Sequence, residues 1–186
     1  MKIAIKIIKE SFKVLLLASL ISSFGGIGLE GVQKSIIAII PLLVLLPALN
    51  DMVGDFGTTF SSKLTTLLFL GKINPRNVLK SEDIKKIITT IYIVALICAA
   101  YISVLSIIIA SLKSFDVTFL MFLKILVISL VVTSLIVSVI IIISVLVGIY
   151  VFKKNKDPNN FLIPLTTSIS DLGSMLTLSI LVRIMF

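Results

Sequence analysis

The sequence contains no histidine, no tryptophan and a single cysteine among its 186 residues. Without histidine, catalysis by an imidazole base and metal cages built from histidine and cysteine are excluded. Cys98 has no partner for an internal disulfide, and its apolar neighbours favour a small core residue. Any bound metal ion therefore needs oxygen ligands, which hard cations such as magnesium, calcium and manganese prefer. No nucleotide-binding loop, nucleophile–base pair or haem ligand is visible, so an enzyme is not expected.

Charged residues are scarce as well, at 14%, whereas 58% of the residues are hydrophobic. A soluble domain carries about 25% charged residues, so this composition predicts an integral, multi-pass protein of the cell membrane. The net charge of +8 does not indicate nucleic-acid binding, because the lysines and arginines cluster at the ends of apolar segments, as topology determinants do. The lipid bilayer is thus the expected surroundings of the chain.

Five apolar segments reach the length of about 20 residues that a membrane-spanning helix needs. They predict an all-α fold with one membrane domain over residues 1–186 and spans at about 11–28, 35–70, 84–112, 117–152 and 160–186. Twelve lysines and arginines flank the spans on the side of the N-terminus and three on the other side. This excess predicts a cytoplasmic N-terminus and a C-terminus outside the cell.

The two ends of the first span carry further signals. Before it, four lysines of residues 1–13 share one helical face, namely Lys2, Lys6, Lys9 and Lys13. They predict an interfacial amphipathic helix held to anionic lipid; a docking site for a separate regulatory subunit is the alternative. After it, the four glycines of residues 25–31 predict a turn.

The second span is unusual in its backbone. Pro41 and Pro47 lack the amide hydrogen that a helix uses, and Gly54 and Gly57 loosen the stretch that follows. Flexible polar backbone at membrane depth is tolerated only where it is buried in protein or lines a wet cavity. We therefore predict a broken second helix with an ion path beside it.

Two aspartates of the second span, Asp51 and Asp55, are one helical turn apart and so share a face. Carboxylates this close repel each other unless a cation or a proton lies between them. A solvated loop is the alternative, since the proline and the glycines nearby are able to end the helix. The apolar repeat of Phe56, Phe60 and Leu64 favours the helix.

A third aspartate, Asp171, lies eleven residues into the last span. At a rise of 1.5 Å per residue this is about 16 Å along a helix, near the middle of a core roughly 30 Å thick. Burying a carboxylate there costs roughly 2.5–3.5 kcal/mol, which favours a functional role; a protonated acid bonded to another helix is the alternative. Asp171 belongs to a polar stripe whose members recur at helical spacing. The stripe consists of Asn160, Pro164, Thr167, Asp171 and Ser174.

Two stretches resemble the membrane domain of MgtE-type magnesium transporters, particularly the archaeal and eukaryotic solute-carrier branch. They are PALNDMVGDFGTTFSSKLTTLLFLGKI, residues 47–73, and DPNNFLIPLTTSISDLGSMLTL, residues 157–178. The matching positions are Pro47, Gly54, Asp55, Ser62, Lys63, Leu64 and Thr66 in the first stretch and Asp157, Pro158, Asn160, Pro164, Ser168, Asp171 and Leu172 in the second.

The resemblance implies transport of a divalent cation, chiefly Mg²⁺ with Mn²⁺ or Co²⁺ as alternatives. It also implies a pore at a two-fold interface between two five-helix units, either a homodimer or a pair with a similar half-sized chain. Asp171 matches the family's ion-binding aspartate, and Gly54–Asp55 replaces its glycine–asparagine pair. With the stripe and the aspartate pair, the expected metal-binding residues are Asp171, Asp55, Asp51 and Thr167.

Two other functions remain open on the sequence. In the first, proton- or sodium-coupled secondary transport, Asp171 alternates between protonated and ion-paired forms. In the second, the chain is a non-transporting membrane subunit or assembly factor, and its aspartates serve contacts between helices. A gradient-independent cation flux distinguishes the expected function from both.

Overall fold

The structure is a computed structural model that describes the backbone of residues 2–186 and the side chains of residue 8 and of residues 11–186. Within this part of the chain there is no β-strand. The helices are α1 (Lys2–Glu30), α2 (Gln33–Ala38), α3 (Ile40–Phe69), α4 (Glu82–Leu112), α5 (Phe119–Lys153) and α6 (Asn159–Met185), with a 3-10 turn at Val78–Lys80 before α4.

Five of these helices are long and apolar enough to cross a membrane, so the predicted all-α membrane fold is confirmed. The qualifying stretches are Ser11–Glu30 within α1 and the full lengths of α3, α4, α5 and α6. The predicted interfacial helix over residues 1–13 depends on the side chains of Lys2, Lys6 and Lys9, which lie outside the described residues. The predicted orientation relative to the cytoplasm stays a prediction.

The second predicted span is divided at Ile39, whose backbone is extended with φ −107° and ψ 90°. Pro41 follows in the first turn of α3, where its missing amide hydrogen costs no helical bond. From there α3 continues through Pro47, Gly54 and Gly57 to Phe69. The long span therefore starts at Ile40 rather than near residue 35, and Asp51 and Asp55 lie on a helix instead of in a loop.

The turn predicted from the glycines of residues 25–31 is wrong for most of them, because α1 is helical up to Glu30. A methyl group on Gly25 would lie 3.2 Å from the backbone of both Asp171 and Leu172. Small residues let membrane helices approach this closely. Gly25, Gly28 and Gly31 thus pack against α6, whereas a methyl group on Gly26 would meet nothing within 4 Å. The chain turns only at Gly31 and Val32.

The contacts along α6 give the direction of its neighbours. On one side Ser22 of α1 bonds to Asp171, and the Ser179 hydroxyl donates to the Gly28 carbonyl at 2.7 Å, so α1 and α6 run parallel. On the other side Asn50 of α3 contacts Asp171, whereas Gly57 packs against Thr166, so α3 and α6 run antiparallel. α6 therefore lies between α1 and α3.

The most deeply buried helix, α5, packs behind α3 and α6. Its hydroxyl groups hold it to its neighbours: Ser144 contacts Ser61 of α3 at 3.1 Å, and Ser129 contacts Ser103 of α4 at 2.5 Å. Phe60 of α3 is fully buried in the same region. These hydroxyls join helices at membrane depth, where few other polar partners exist. α3, α5 and α6 pack against one another, and α3 and α6 carry most of the polar residues described next.

Candidate functional site

A cavity of about 670 Å³ lies between α3 and α6 and is open to the surroundings of the chain. All four residues expected to bind metal line it. Its walls are Leu46, Pro47, Ala48, Asn50, Asp51, Gly54 and Asp55 from α3, with Thr167, Asp171 and Met175 from α6. The antiparallel packing of the two helices brings together side chains that are more than a hundred residues apart in sequence.

Asp51 and Asp55 form the exposed part of the cavity. They lie one turn apart on α3, and neither carboxylate has a hydrogen bond or ion pair to any residue in the described part of the chain. The nearby Thr58 hydroxyl donates to the backbone carbonyl of Asp55, at 3.0 Å, and not to its carboxylate. Two unpaired negative charges at this spacing attract a cation or a proton.

Asp171 forms the inner part of the cavity and is half-buried. Its Oδ1 accepts a hydrogen bond from the Asn50 amide nitrogen, and its Oδ2 accepts one from the Ser22 hydroxyl, both at 2.7 Å. The carboxyl group is thus held by one side chain of α3 and one of α1. A carboxylate has about four lone-pair positions, so each oxygen keeps one direction for a further donor or a cation.

The Asn50 side chain is itself held in place. Its amide oxygen accepts a hydrogen bond from the Ser174 hydroxyl, which directs the amide nitrogen towards Asp171. The Ser170 hydroxyl donates to the Asn50 backbone carbonyl at 3.3 Å. A hydrogen-bonded chain thus joins α6, α3 and α1 around one carboxylate, and we call Ser174, Asn50, Asp171 and Ser22 the carboxylate network.

Thr167 lies one turn before Asp171 on the cavity side of α6. Its hydroxyl donates to the backbone carbonyls of Ile163, at 3.1 Å, and of Pro164, at 3.0 Å. Because the proton is used within the helix, the hydroxyl offers the cavity its oxygen lone pairs. Such an oxygen accepts a hydrogen bond from water or from the hydration shell of a cation.

The cavity is negative throughout. None of its ten lining residues, all of which the structure describes, has a basic side chain, and three are aspartates. Lys63 is exposed and lines a different pocket, so it does not neutralise an aspartate of the cavity. The ion pair seen among the described side chains joins Lys85 to Glu82, at 2.8 Å, away from the cavity.

The carboxylates do not converge on a single point. Among the described residues, no three side chains of the acidic, histidine or cysteine type are close enough together to hold one metal ion. The inner Asp171 and the outer pair thus occupy different parts of the cavity. This spacing suits an ion that keeps part of its water shell, as Mg²⁺ commonly does in proteins.

Sequence reasoning missed two members of the carboxylate network, Ser22 and Asn50. Ser22 lies in the middle of an apolar span, where a serine is usually a packing residue. Asn50 precedes Asp51, so the two side chains are about 100° apart around the helix. This rotation turns Asn50 towards α6. The row formed by Asn50, Gly54 and Gly57 is a signal that marks this face of α3 as a close helix contact.

A comparison with protein families supplies independent information on this site. Residues 46–181 match the MgtE family, described as a divalent cation transporter. The matched range contains every residue that lines the cavity and excludes α1 with Ser22. No curated protein and no solved structure matches the chain. The family match covers well over half of the sequence, and five helices are able to span a bilayer. The chain is thus a multi-pass membrane protein that belongs to the MgtE family of divalent cation transporters.

Proposed function

We propose that this protein transports Mg²⁺ through the cavity between α3 and α6. The observation that carries the proposal is the juxtaposition of Asp51, Asp55 and Asp171, from two helices, in one open cavity without a basic side chain. Charges at membrane depth are costly and mark ion pathways. The oxygen-only donor set favours a hard cation, and Mn²⁺ and Co²⁺ are the expected competitors.

In the proposed path the three carboxylates act in succession. Asp51 and Asp55 attract the cation into the open part of the cavity, because neither is neutralised by a protein partner. The ion then meets Asp171 and the Thr167 hydroxyl, where two donors already fix the carboxylate. Mg²⁺ sheds water reluctantly, so contact through its water shell is expected at the outer pair and partial dehydration at Asp171.

A second copy of the chain is proposed to close the open side. In a single copy the two exposed aspartates would face lipid, at roughly 2.5–3.5 kcal/mol for each charge near the bilayer centre. A partner related by a two-fold axis along the membrane normal covers this face with the same face of its own α3. The path would then be lined by two sets of carboxylates, which favours divalent over monovalent ions. A similar half-sized chain is able to take the partner's place.

The test is Mg²⁺ uptake by liposomes that contain the purified protein, without a proton or sodium gradient. We expect uptake from the wild-type chain and a loss of about tenfold or more in Asp171→Asn, since a charge-assisted contact is worth about 1.5–3 kcal/mol. Asp116→Asn is the matched control, because it removes an exposed carboxylate from the loop between α4 and α5.

Other results of the liposome experiment would point to a different function or contradict the role of Asp171. Uptake that requires a proton or sodium gradient indicates coupled transport. A folded wild-type chain without any uptake indicates a non-transporting subunit. Wild-type uptake by Asp171→Asn, with protein yield and thermal stability unchanged, contradicts the central role of this carboxylate.

A further inference from the structure

A second polar pocket, of about 410 Å³, lies where the end of α3 meets the start of α4. It combines basic and hydroxyl side chains with an aliphatic wall and has no acidic residue in its lining. The lining residues are Ser62, Lys63, Thr66, Leu67, Leu70, Lys72 and Ile87. Its charge is therefore opposite to that of the cation cavity.

The turn that ends α3 brings Lys72 to this pocket. Gly71 has a left-handed backbone, with φ +67°. Its amide donates to the Leu68 carbonyl at 3.2 Å, and the Lys72 amide donates to the Leu67 carbonyl at 3.1 Å. These two bonds form a Schellman motif with glycine at its left-handed position. The motif folds the chain back over the last turn of α3, so that Lys72 shares a pocket with Lys63.

The polar groups of this pocket have capacity for a ligand. Lys63 and Lys72 are exposed and make no ion pair with any residue that the structure describes. The Ser62 hydroxyl also has no hydrogen-bond partner in that part of the chain, whereas the Thr66 hydroxyl donates to the Ser62 carbonyl at 2.8 Å. Two ammonium groups and a free hydroxyl donor around one pocket match the donor pattern that a phosphate group accepts.

The length of α3 is compatible with a position of the pocket at the depth of lipid headgroups. α3 has 30 residues, which gives a length of about 45 Å, more than the roughly 30 Å core of a bilayer. Lys63 is about 9 Å from the end of the helix. Phe69 and Leu70, at the same end, are 60% and 61% exposed. The basic groups thus lie beside an exposed apolar surface.

We propose that this pocket binds the phosphate headgroup of an anionic phospholipid. Lys63 and Lys72 neutralise the phosphate, and the Ser62 hydroxyl donates a hydrogen bond to it. Leu70 and Ile87 contact the upper acyl chain. Basic pockets between membrane helices bind such headgroups. A lipid fits better than a soluble phosphate compound because aliphatic side chains form part of the same wall.

The test measures binding of dioleoylphosphatidylglycerol to the purified protein in detergent, by native mass spectrometry and by thermal stabilisation, with dioleoylphosphatidylcholine as the neutral reference. The test variant is Lys63→Gln with Lys72→Gln. The control variant is Lys80→Gln with Lys86→Gln, which removes the same charge from exposed positions just before α4 and in its first turns and leaves the pocket lining intact. Each lysine near an anionic surface contributes about fivefold in affinity, so the test variant should bind about 30-fold more weakly.

The proposal holds if the test variant loses the preference for the anionic lipid and the control variant keeps most of it. Equal losses in the two variants, or none in either, overturn it, since the effect would then be general surface charge or absent. Equal stabilisation by glycerol 3-phosphate also overturns it, because that result assigns the pocket to a soluble phosphate compound. Neither measurement uses transport, so the outcome is independent of the proposed cation path.

Discussion

Asn50 and Asp171 are joined by a 2.7 Å hydrogen bond from the amide nitrogen to the carboxylate, across the contact between α3 and α6. The amide oxygen of Asn50 accepts from the Ser174 hydroxyl, so the amide has a defined orientation. α3 also carries Asp51 and Asp55 on the neighbouring face. Asn50 thus links the position of the inner carboxylate to the helix that holds the outer pair.

Asn50→Ala tests this link. The substitution leaves one Asp171 oxygen and the Ser174 hydroxyl without their present partner, which costs about 1–3 kcal/mol for a buried polar group. We expect a lower melting temperature and slower Mg²⁺ uptake in liposomes. Asn77→Ala, in the exposed connection after α3, is the control and should match the wild type. Unchanged melting and unchanged uptake in Asn50→Ala would mean that the amide does not position Asp171.

The outer pair of carboxylates should behave differently from the inner one. Asp51→Asn and Asp55→Asn are expected to reduce uptake mildly when made singly, because either remaining charge still attracts the cation on the same face. The double variant should lose about tenfold or more, as expected for the loss of one strong charged contact. Uptake is best measured at low Mg²⁺ concentration, where attraction into the cavity limits the rate. Equal uptake in the double variant and the wild type would exclude the pair from the path.

The sequence predicted the helical class, the number of spans and the four candidate metal-binding residues for different reasons. Hydrophobic runs of the required length are a property of each segment alone, so the five spans could be predicted without knowing which helices touch. Aspartates within such runs are costly, which singled out Asp51, Asp55 and Asp171 before their common cavity was known. The structure places all three in that cavity; their role in ion binding stays a prediction.

Other features depend on which helices touch, and a single sequence does not contain that information directly. The glycines of residues 25–31 have the composition of a turn, yet three of the four pack against α6, namely Gly25, Gly28 and Gly31. Pro47 carries the signal of a helix break, but α3 is continuous through it, and the interruption is at Ile39. Ser22 joins the site only because α1 runs parallel to α6 at close distance.

The close approach of α1 to α6 gives a matched pair of substitutions. Gly25→Ala places a methyl group 2.8 Å from the Met175 sulfur and 3.2 Å from the Asp171 carbonyl, whereas one on Gly26 meets nothing within 4 Å. Overpacking of this kind costs about 1–3 kcal/mol. We therefore expect Gly25→Ala to separate the helices, weaken the bond from Ser22 to Asp171 and lower the melting temperature.

Gly26→Ala is the control for this pair. It should be neutral or raise the melting temperature, since alanine favours a helix over glycine by about 0.8–1.0 kcal/mol. Mg²⁺ uptake should fall in Gly25→Ala and remain at the wild-type level in Gly26→Ala. Identical behaviour of the two variants would contradict the contact between α1 and α6.

The proposed second copy is tested by disulfide crosslinking in native membranes, with Cys98 replaced by serine so that each variant has one cysteine. Ala48 is exposed in the cavity wall on α3, so Ala48→Cys lies at the proposed two-fold interface. Ile97 of α4 is 63% exposed but lines no part of the cavity, so Ile97→Cys is the control. The α carbons of a disulfide are usually about 4.4–6.8 Å apart, and only a symmetric contact at α3 brings two copies of residue 48 within this range.

We expect an oxidised dimer from Ala48→Cys and a monomer from Ile97→Cys. A dimer from Ile97→Cys alone would place the interface on α4, whereas monomers from both variants would require a different chain to cover the cavity.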